Sequence, residues 1–319
     1  MFRMPSEPRR ARYDLRALCL VLLVSPLAAI VPGVARAMER PRPGELQSYV
    51  ADGTFAHRRA FAAQLGNNLI HPSLVSRKLG ASGADLFAPP AFPSGMSGQI
   101  PSIGTYKMFA LLIDFPDYPH KADSSVYRSM LFGTGNPVNY PYEGLRSYYQ
   151  RSSYGKLNLT GDVYGWYRAK SNRESYVNRA GDLIAEAMQF YGIDASQYTT
   201  SYKIIIWTGP DNGWGNFWWA YYTGSYSWQW EATSPRVVIH ETGHALGLPD
   251  YYDYDENVGP SGGLGGLDMM DGNWGDHNCF SKWLLDWLSP VWIANAAETR
   301  DFVLSPSALA PEAVAVMPG

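Results

Sequence analysis

His240, Glu241 and His244 are the side chains in this 319-residue sequence whose types and spacing best suit chemistry. On a helix, residues four apart project from one face, one turn from each other. Two imidazoles so placed can grip a single zinc ion. Glu241, next to the first imidazole, can take a proton from water that the metal has acidified toward neutrality. The set therefore points to metal-assisted hydrolysis. With only six histidines in the chain, chance seldom puts two of them around a glutamate at this spacing.

Two histidines do not complete a catalytic zinc site, which usually takes three protein ligands and water. The chain continues Ala245-Leu246-Gly247-Leu248-Pro249-Asp250. Gly247 can adopt a left-handed conformation and end a helix sharply, and Pro249 keeps the helix from resuming. That turn brings Asp250 back toward the metal as the expected third ligand; Asp253, Asp255 and His277 are the alternatives. Carboxylate oxygen is an accepted zinc donor.

These residues need a helix beneath them, and Ser234-Pro235 supplies its start: serine as N-cap and proline in the first turn, where its missing amide costs nothing. The helix is predicted to run to about Leu246. Upstream, the apolar run 107–113 suits a buried strand. Residues 144–151 read as a short helix, and 156–161 alternate as a half-buried strand does. A longer helix over 174–191 carries Val177, Ala180, Leu183, Ile184, Ala187, Met188 and Tyr191 on one stripe, with Gly192 placed to end it. Residues 202–207 read as a second buried strand.

Composition sets the limits. Hydrophobic residues make up 46% and charged residues 17%, which suits a folded chain. A formal charge of −3 gives no nucleic-acid or anionic-membrane surface. Arg9, Arg10, Arg12 and Arg16 precede an apolar run over 17–29, and Ala35-Arg36-Ala37 offers a small-x-small cleavage site. Residues 1–37 thus read as a secretory signal peptide, too short and too proline-interrupted to span a membrane. After its removal Cys279 is the remaining cysteine, so no intramolecular disulfide is expected. Residues 38–100 read as a propeptide-like leader ending in a Pro/Gly/Ser-rich linker. Residues 101–295 are the expected catalytic domain, and 296–319 the start of a C-terminal β-rich segment.

On these motifs the chain resembles the immune inhibitor A family of secreted bacterial metallopeptidases, a metzincin-like branch of the zincins. Residues 240–253 are similar to the family's extended zinc signature and 267–272 to its methionine turn. Residues 281–288 resemble the helix after that turn. Residues 110–117 and 145–157 look like its first strand and the helix–strand unit that follows. The resemblance implies an α+β zincin fold, with a twisted mixed sheet, a backing helix and an active-site helix. It also implies Met270, with Met269 as alternative, as an apolar floor under the zinc. Family members often carry an Asp-rich calcium loop, but 193–201 holds a single carboxylate, Asp194, where calcium wants about six to eight oxygens. Asp250, Asp253, Tyr254, Asp255 and Glu256 are the other place for calcium, with a solvated acidic loop the preferred reading. No tyrosine follows the methionine turn directly, which leaves the oxyanion-stabilising group unnamed.

The expectation is a secreted zinc-dependent endopeptidase with Glu241 as general base, acting on protein or peptide substrates. A peptide would lie extended along an edge strand. The aromatic stretch 214–230, with Trp218 and Trp219, is expected at the rim of the cleft. The alternative is a non-catalytic binding or adhesion module of the same fold that uses this Trp/Tyr-rich face.

Overall fold

Seven consecutive buried residues, Met108 to Asp114, form the centre of the fold. In the computed structural model they belong to β1 (Gly104–Asp114), which pairs in parallel with β2 (Leu157–Arg168) on one side and β3 (Lys203–Trp207) on the other. The structure describes residues 49–54, 56, 70, 74, 100–134, 144–176, 179–209, 221–222, 226–252, 263–272, 275–293 and 300–316. β5 (Tyr226–Trp230) adds in parallel to β3, and β4 (Tyr221–Tyr222) closes that edge antiparallel, giving the order β2-β1-β3-β5-β4.

Strand periodicity divides the core in two. Met108, Ala110 and Leu112 of β1, with Ile204 and Ile206 of β3, face a cluster that contains Val238, Ile239, Met269, Met270 and Trp287. Phe109, Leu111 and Ile113, with Ile205 and Trp207, face the opposite cluster with Leu183, Ile184 and Ala187. A strand buried on both faces cannot alternate with polar residues, which is why β1 reads as an unbroken apolar run.

Helices α1 (Ser124–Phe132) and α2 (Leu145–Ser152) lie in the connection from β1 to β2. Asp123 caps α1 through the Ser125 amide at 2.8 Å. The long helix expected over 174–191 is split: a 3-10 turn covers Arg173–Tyr176 and α3 covers Ala180–Tyr191. Gly192 ends α3 with φ +60°, as its freedom from a Cβ allows. α4 (Pro235–Ala245) follows β5, then the one-turn α5 (Met269–Gly272) and α6 (Cys279–Leu284).

The chain divides into two units, Gly33–Trp287 and a second comprising Met1–Pro32 with Leu288–Gly319. The larger carries all the elements above. In it Tyr49 and Leu74, from the segment read as a leader, are buried in the two core clusters, and Ile70 packs on the cluster that holds Leu74. In the smaller unit, β6 (Val291–Ile293) pairs in parallel with β7 (Val314–Val316). Among the described residues no helix is long and apolar enough to cross a membrane. The signal-peptide segment 1–37 lies outside the described residues.

Candidate metal centre

α4 is buried from Val237 through Ala245. Ser234 has the extended backbone of an N-cap and Pro235 follows it, as expected, but the serine hydroxyl makes no capping bond. The Ser234 carbonyl does the terminal work instead, accepting from the Val237 and Val238 amides at 3.1 and 3.3 Å. Tyr149 of α2 donates its hydroxyl to the Ile239 carbonyl at 2.7 Å. Tyr202, at the entry to β3, sits with its hydroxyl 3.1 Å from Thr242 Oγ1 and donates to Ser227 Oγ at 2.9 Å. Burial holds the Tyr202 phenol well above its ordinary pKa, so it stays protonated.

The C-terminus of α4 forms a Schellman turn. The Leu248 amide bonds the Gly243 carbonyl at 3.0 Å and the Gly247 amide bonds that of His244 at 2.9 Å. Gly247 takes φ +100°, a value that strains any residue with a Cβ. The Ala245 carbonyl is satisfied by the Ile100 amide at 2.9 Å.

That turn carries Asp250 back over the helix. His240 Nε2 lies 2.9 Å and His244 Nε2 3.3 Å from Asp250 Oδ1, and one donor atom from each of the three falls within 4.8 Å of the others. Both imidazoles are oriented from behind: His244 Nδ1 is 2.9 Å from the Leu248 carbonyl, and His240 Nδ1 is 3.3 Å from that of Met269. A carbonyl only accepts, so each Nδ1 carries a hydrogen, and Nε2 is the nitrogen each ring presents on the Asp250 side, where a metal would bind. Donors at about 2.0–2.1 Å around a tetrahedral zinc stand about 3.3 Å apart. The two histidine–aspartate separations, 2.9 and 3.3 Å, are close to that value. The donor set of two imidazoles and a carboxylate fits a zinc ion. Burial pushes the Asp250 carboxyl upward, but the adjacent His244 and His240 outweigh it and leave the carboxyl below its usual range. Glu241, next to His240, is fully buried.

Both methionines of the turn are fully buried. Met270 packs against α4 at Gly243, where a Cβ would land on its Sδ, in the stretch of helix between the two histidines. Met269 meets the site through its carbonyl, on His240 Nδ1. His277, an alternative third ligand, is not brought to the group: it is buried with Nδ1 3.3 Å from Asp268 Oδ1. Asp253, Tyr254, Asp255, Glu256, Trp218 and Trp219 lie outside the described residues. Asp194 is taken up locally, capping the 3-10 turn Ala195–Gln197 through the Ser196 amide at 2.9 Å.

No protein-family model matches the chain. Over 140 aligned residues it is 29% identical to the pre-pro-metalloprotease PrtV of Vibrio cholerae serotype O1, in strains M66-2 and ATCC 39315 / El Tor Inaba N16961. Part of this chain thus resembles a metalloprotease. The alignment covers 35% of this chain and 15% of that protein, so the chain spans a small part of its relative's length. Among solved structures, a chain in "Structure of a chaperone-substrate complex" matches 53% of this chain at 16% identity with a TM-score of 0.27, too low to bear on the fold.

Several supporting residues had no signal in the sequence. Tyr149 and Tyr202 act on α4 from elements far along the chain, and Asp268 acts on the turn it adjoins; their types are unremarkable for core or loop. Lys282 is buried on α6 with Nζ 2.7 Å from Asp276, where a lysine in a helix would ordinarily read as solvated.

Proposed function

We propose that the chain is a secreted zinc-dependent endopeptidase of zincin fold, similar in kind to the immune inhibitor A metallopeptidases. The observation that carries the reading is the convergence of His240 Nε2, His244 Nε2 and Asp250 Oδ1, with a buried glutamate beside the first. Partial similarity to a metalloprotease supports it.

His240, His244 and Asp250 would hold the ion. A zinc ion there supplies Lewis acidity, polarising a carbonyl oxygen and lowering the pKa of water. Glu241 receives a proton from the attacking water on its carboxylate and returns it to the leaving amine, so one side chain serves as base and then acid. The carbonyls of Leu248 and Met269 fix which imidazole nitrogen faces the ion, and Met270 keeps the underside of the site apolar. β4 forms the antiparallel edge of the sheet after β5, and an extended peptide chain can add there through main-chain hydrogen bonds. The mixed sheet, with α3 packed on one face and α4 on the other, supports the zincin reading.

The test uses purified Met38–Gly319 on a mixed peptide library, with and without chelator, and with cleavage sites read by mass spectrometry. Wild type should cut, chelator should stop it, and Glu241→Gln should bind zinc yet lose at least about a hundredfold in rate. If wild type binds zinc but cuts nothing across denatured proteins and peptides, the peptidase reading fails and a binding module takes its place.

A further inference from the structure

Asp268 stands just ahead of the two methionines, fully buried, and is the meeting point of the loop that supports the metal centre. Its Oδ1 accepts from the Met270 amide at 2.8 Å, and His277 Nδ1 lies 3.3 Å from the same oxygen. Its Oδ2 accepts from the Asn278 amide and from Ser281 Oγ, both at 2.8 Å. Its own carbonyl takes the Asp271 amide at 3.0 Å and that of Gly272 at 3.3 Å. One carboxylate therefore ties the turn to the start of α6 and fixes the backbone of Met269 and Met270.

The carbonyl of one of them reaches a candidate ligand, and that of the other reaches the residue after a second. The Met269 carbonyl faces His240 Nδ1 at 3.3 Å. The Met270 carbonyl accepts the amide of Tyr251, the residue after Asp250, at 2.9 Å. A rotation of this short turn would thus move two of the three ligands at once. Groups behind metal ligands set ring orientation and basicity, and their loss costs metal affinity although they touch no metal.

We infer that Asp268 is a positioning residue for the metal centre, holding His240 and Asp250 in register through the carbonyls of Met269 and Met270. This rests on the metallopeptidase reading above. His277 belongs to the same device: a buried ring packed among Tyr148, Tyr149 and Trp287, at centroid distances of 5.8, 6.0 and 5.8 Å, keeps one face of the Asp268 carboxylate from water.

The test measures zinc affinity by competition with a chromophoric chelator, and the visible absorption of the cobalt(II)-loaded protein, in four proteins. These are wild type, Asp268→Ala, Asp268→Asn and Asp114→Asn. Asp268→Ala should bind zinc about 10–100-fold more weakly with altered cobalt bands. Asp268→Asn keeps an oxygen for the Met270 amide and should lose about three- to tenfold. Asp114→Asn, which breaks the Arg168 pair at the end of β1 and bonds to neither the turn nor α6, should melt earlier but keep wild-type affinity and bands. Should Asp268→Ala fail to fold, the Asn variant decides. Wild-type affinity and cobalt bands in the folded Asp268 variants would overturn the inference. A wild type that binds no metal would instead overturn the reading on which it rests.

Discussion

Replacing Asp276 by asparagine asks whether α6, the helix behind the methionine turn, is held by charge. Lys282 Nζ lies 2.7 Å from Asp276 Oδ2, with the lysine side chain 0% and the aspartate side chain 11% exposed. The same carboxylate accepts from Ser152 Oγ at 2.5 Å and the His277 amide at 2.9 Å, and Arg151 Nη1 lies 3.3 Å away. The Tyr154 hydroxyl is 3.2 Å from Lys282 Nζ, and its ring centroid 4.5 Å. Neither replaces an anion for a buried ammonium. Asparagine preserves the shape and strands the charge, which costs about 3–5 kcal/mol. For a unit of this size that lowers Tm by roughly 6–20 °C. The double variant Asp276→Leu/Lys282→Met should recover most of the loss, because an apolar pair of similar volume avoids desolvating two ions. Arg151, 24% exposed, can then turn to water.

The same pair sets an acid limit. Burial raises the Asp276 carboxyl, but Lys282, Ser152 and Arg151 outweigh it and hold it below its ordinary range. Burial also draws the Lys282 ammonium down, yet a carboxylate at 2.7 Å keeps it charged at neutral pH. A carboxyl whose folded pKa is depressed contributes stability that is fully present above its unfolded value, about 3.9, and lost as pH falls through the folded value. The stability gap between wild type and Asp276→Asn should therefore be constant from pH 5 to 7 and shrink below about pH 4. Melts followed by circular dichroism in chelator, which removes any metal contribution, measure both effects. An Asp276→Asn variant within about 1 kcal/mol of wild type at pH 7, or a double variant no more stable than it, would refute the reasoning.

Gly243→Ala gains about 1 kcal/mol of helix propensity but drives a methyl into the fully buried Met270, at a cost of about 1–3 kcal/mol. Net destabilisation with weaker zinc binding is expected by thermal melt and chelator competition; a more stable variant would mean that Met270 has room to move. Zinc at about a thousand times its Kd should raise stability by about 4 kcal/mol, a Tm gain of roughly 8–16 °C, and His244→Ala should abolish the gain. Equal Tm values for chelated and zinc-loaded wild type in calorimetry would argue against the site.

What the sequence reveals follows from how far along the chain each geometry reaches. His240 and His244 are placed by one helical turn, and Asp250 by the Gly247 turn beside it, so their convergence could be expected from spacing alone. β1 and β3 are legible because burial on both faces demands an unbroken apolar run. α1 is not: only Tyr127 and Leu131 of its nine residues are buried, too few to form a stripe. β2 runs to Arg168, well past the alternating 156–161, through a stretch whose partly exposed residues break the alternation.

The supports of the candidate metal centre are harder still, since they join parts of the chain that spacing does not relate. Tyr149 reaches Ile239 across 90 positions and Met269 reaches His240 across 29. At those separations spacing carries no information about direction. An aspartate in a glycine-rich loop is a turn former by type, and nothing local distinguishes Asp268 from Asp271. The difference lies in what surrounds it: the start of α6 brings the Asn278 amide and Ser281 Oγ to one carboxylate, and α4 meets the other side of the two methionines. The candidate ligands are thus spelled by local periodicity, whereas the groups that aim them are defined only once the sheet and helices have assembled.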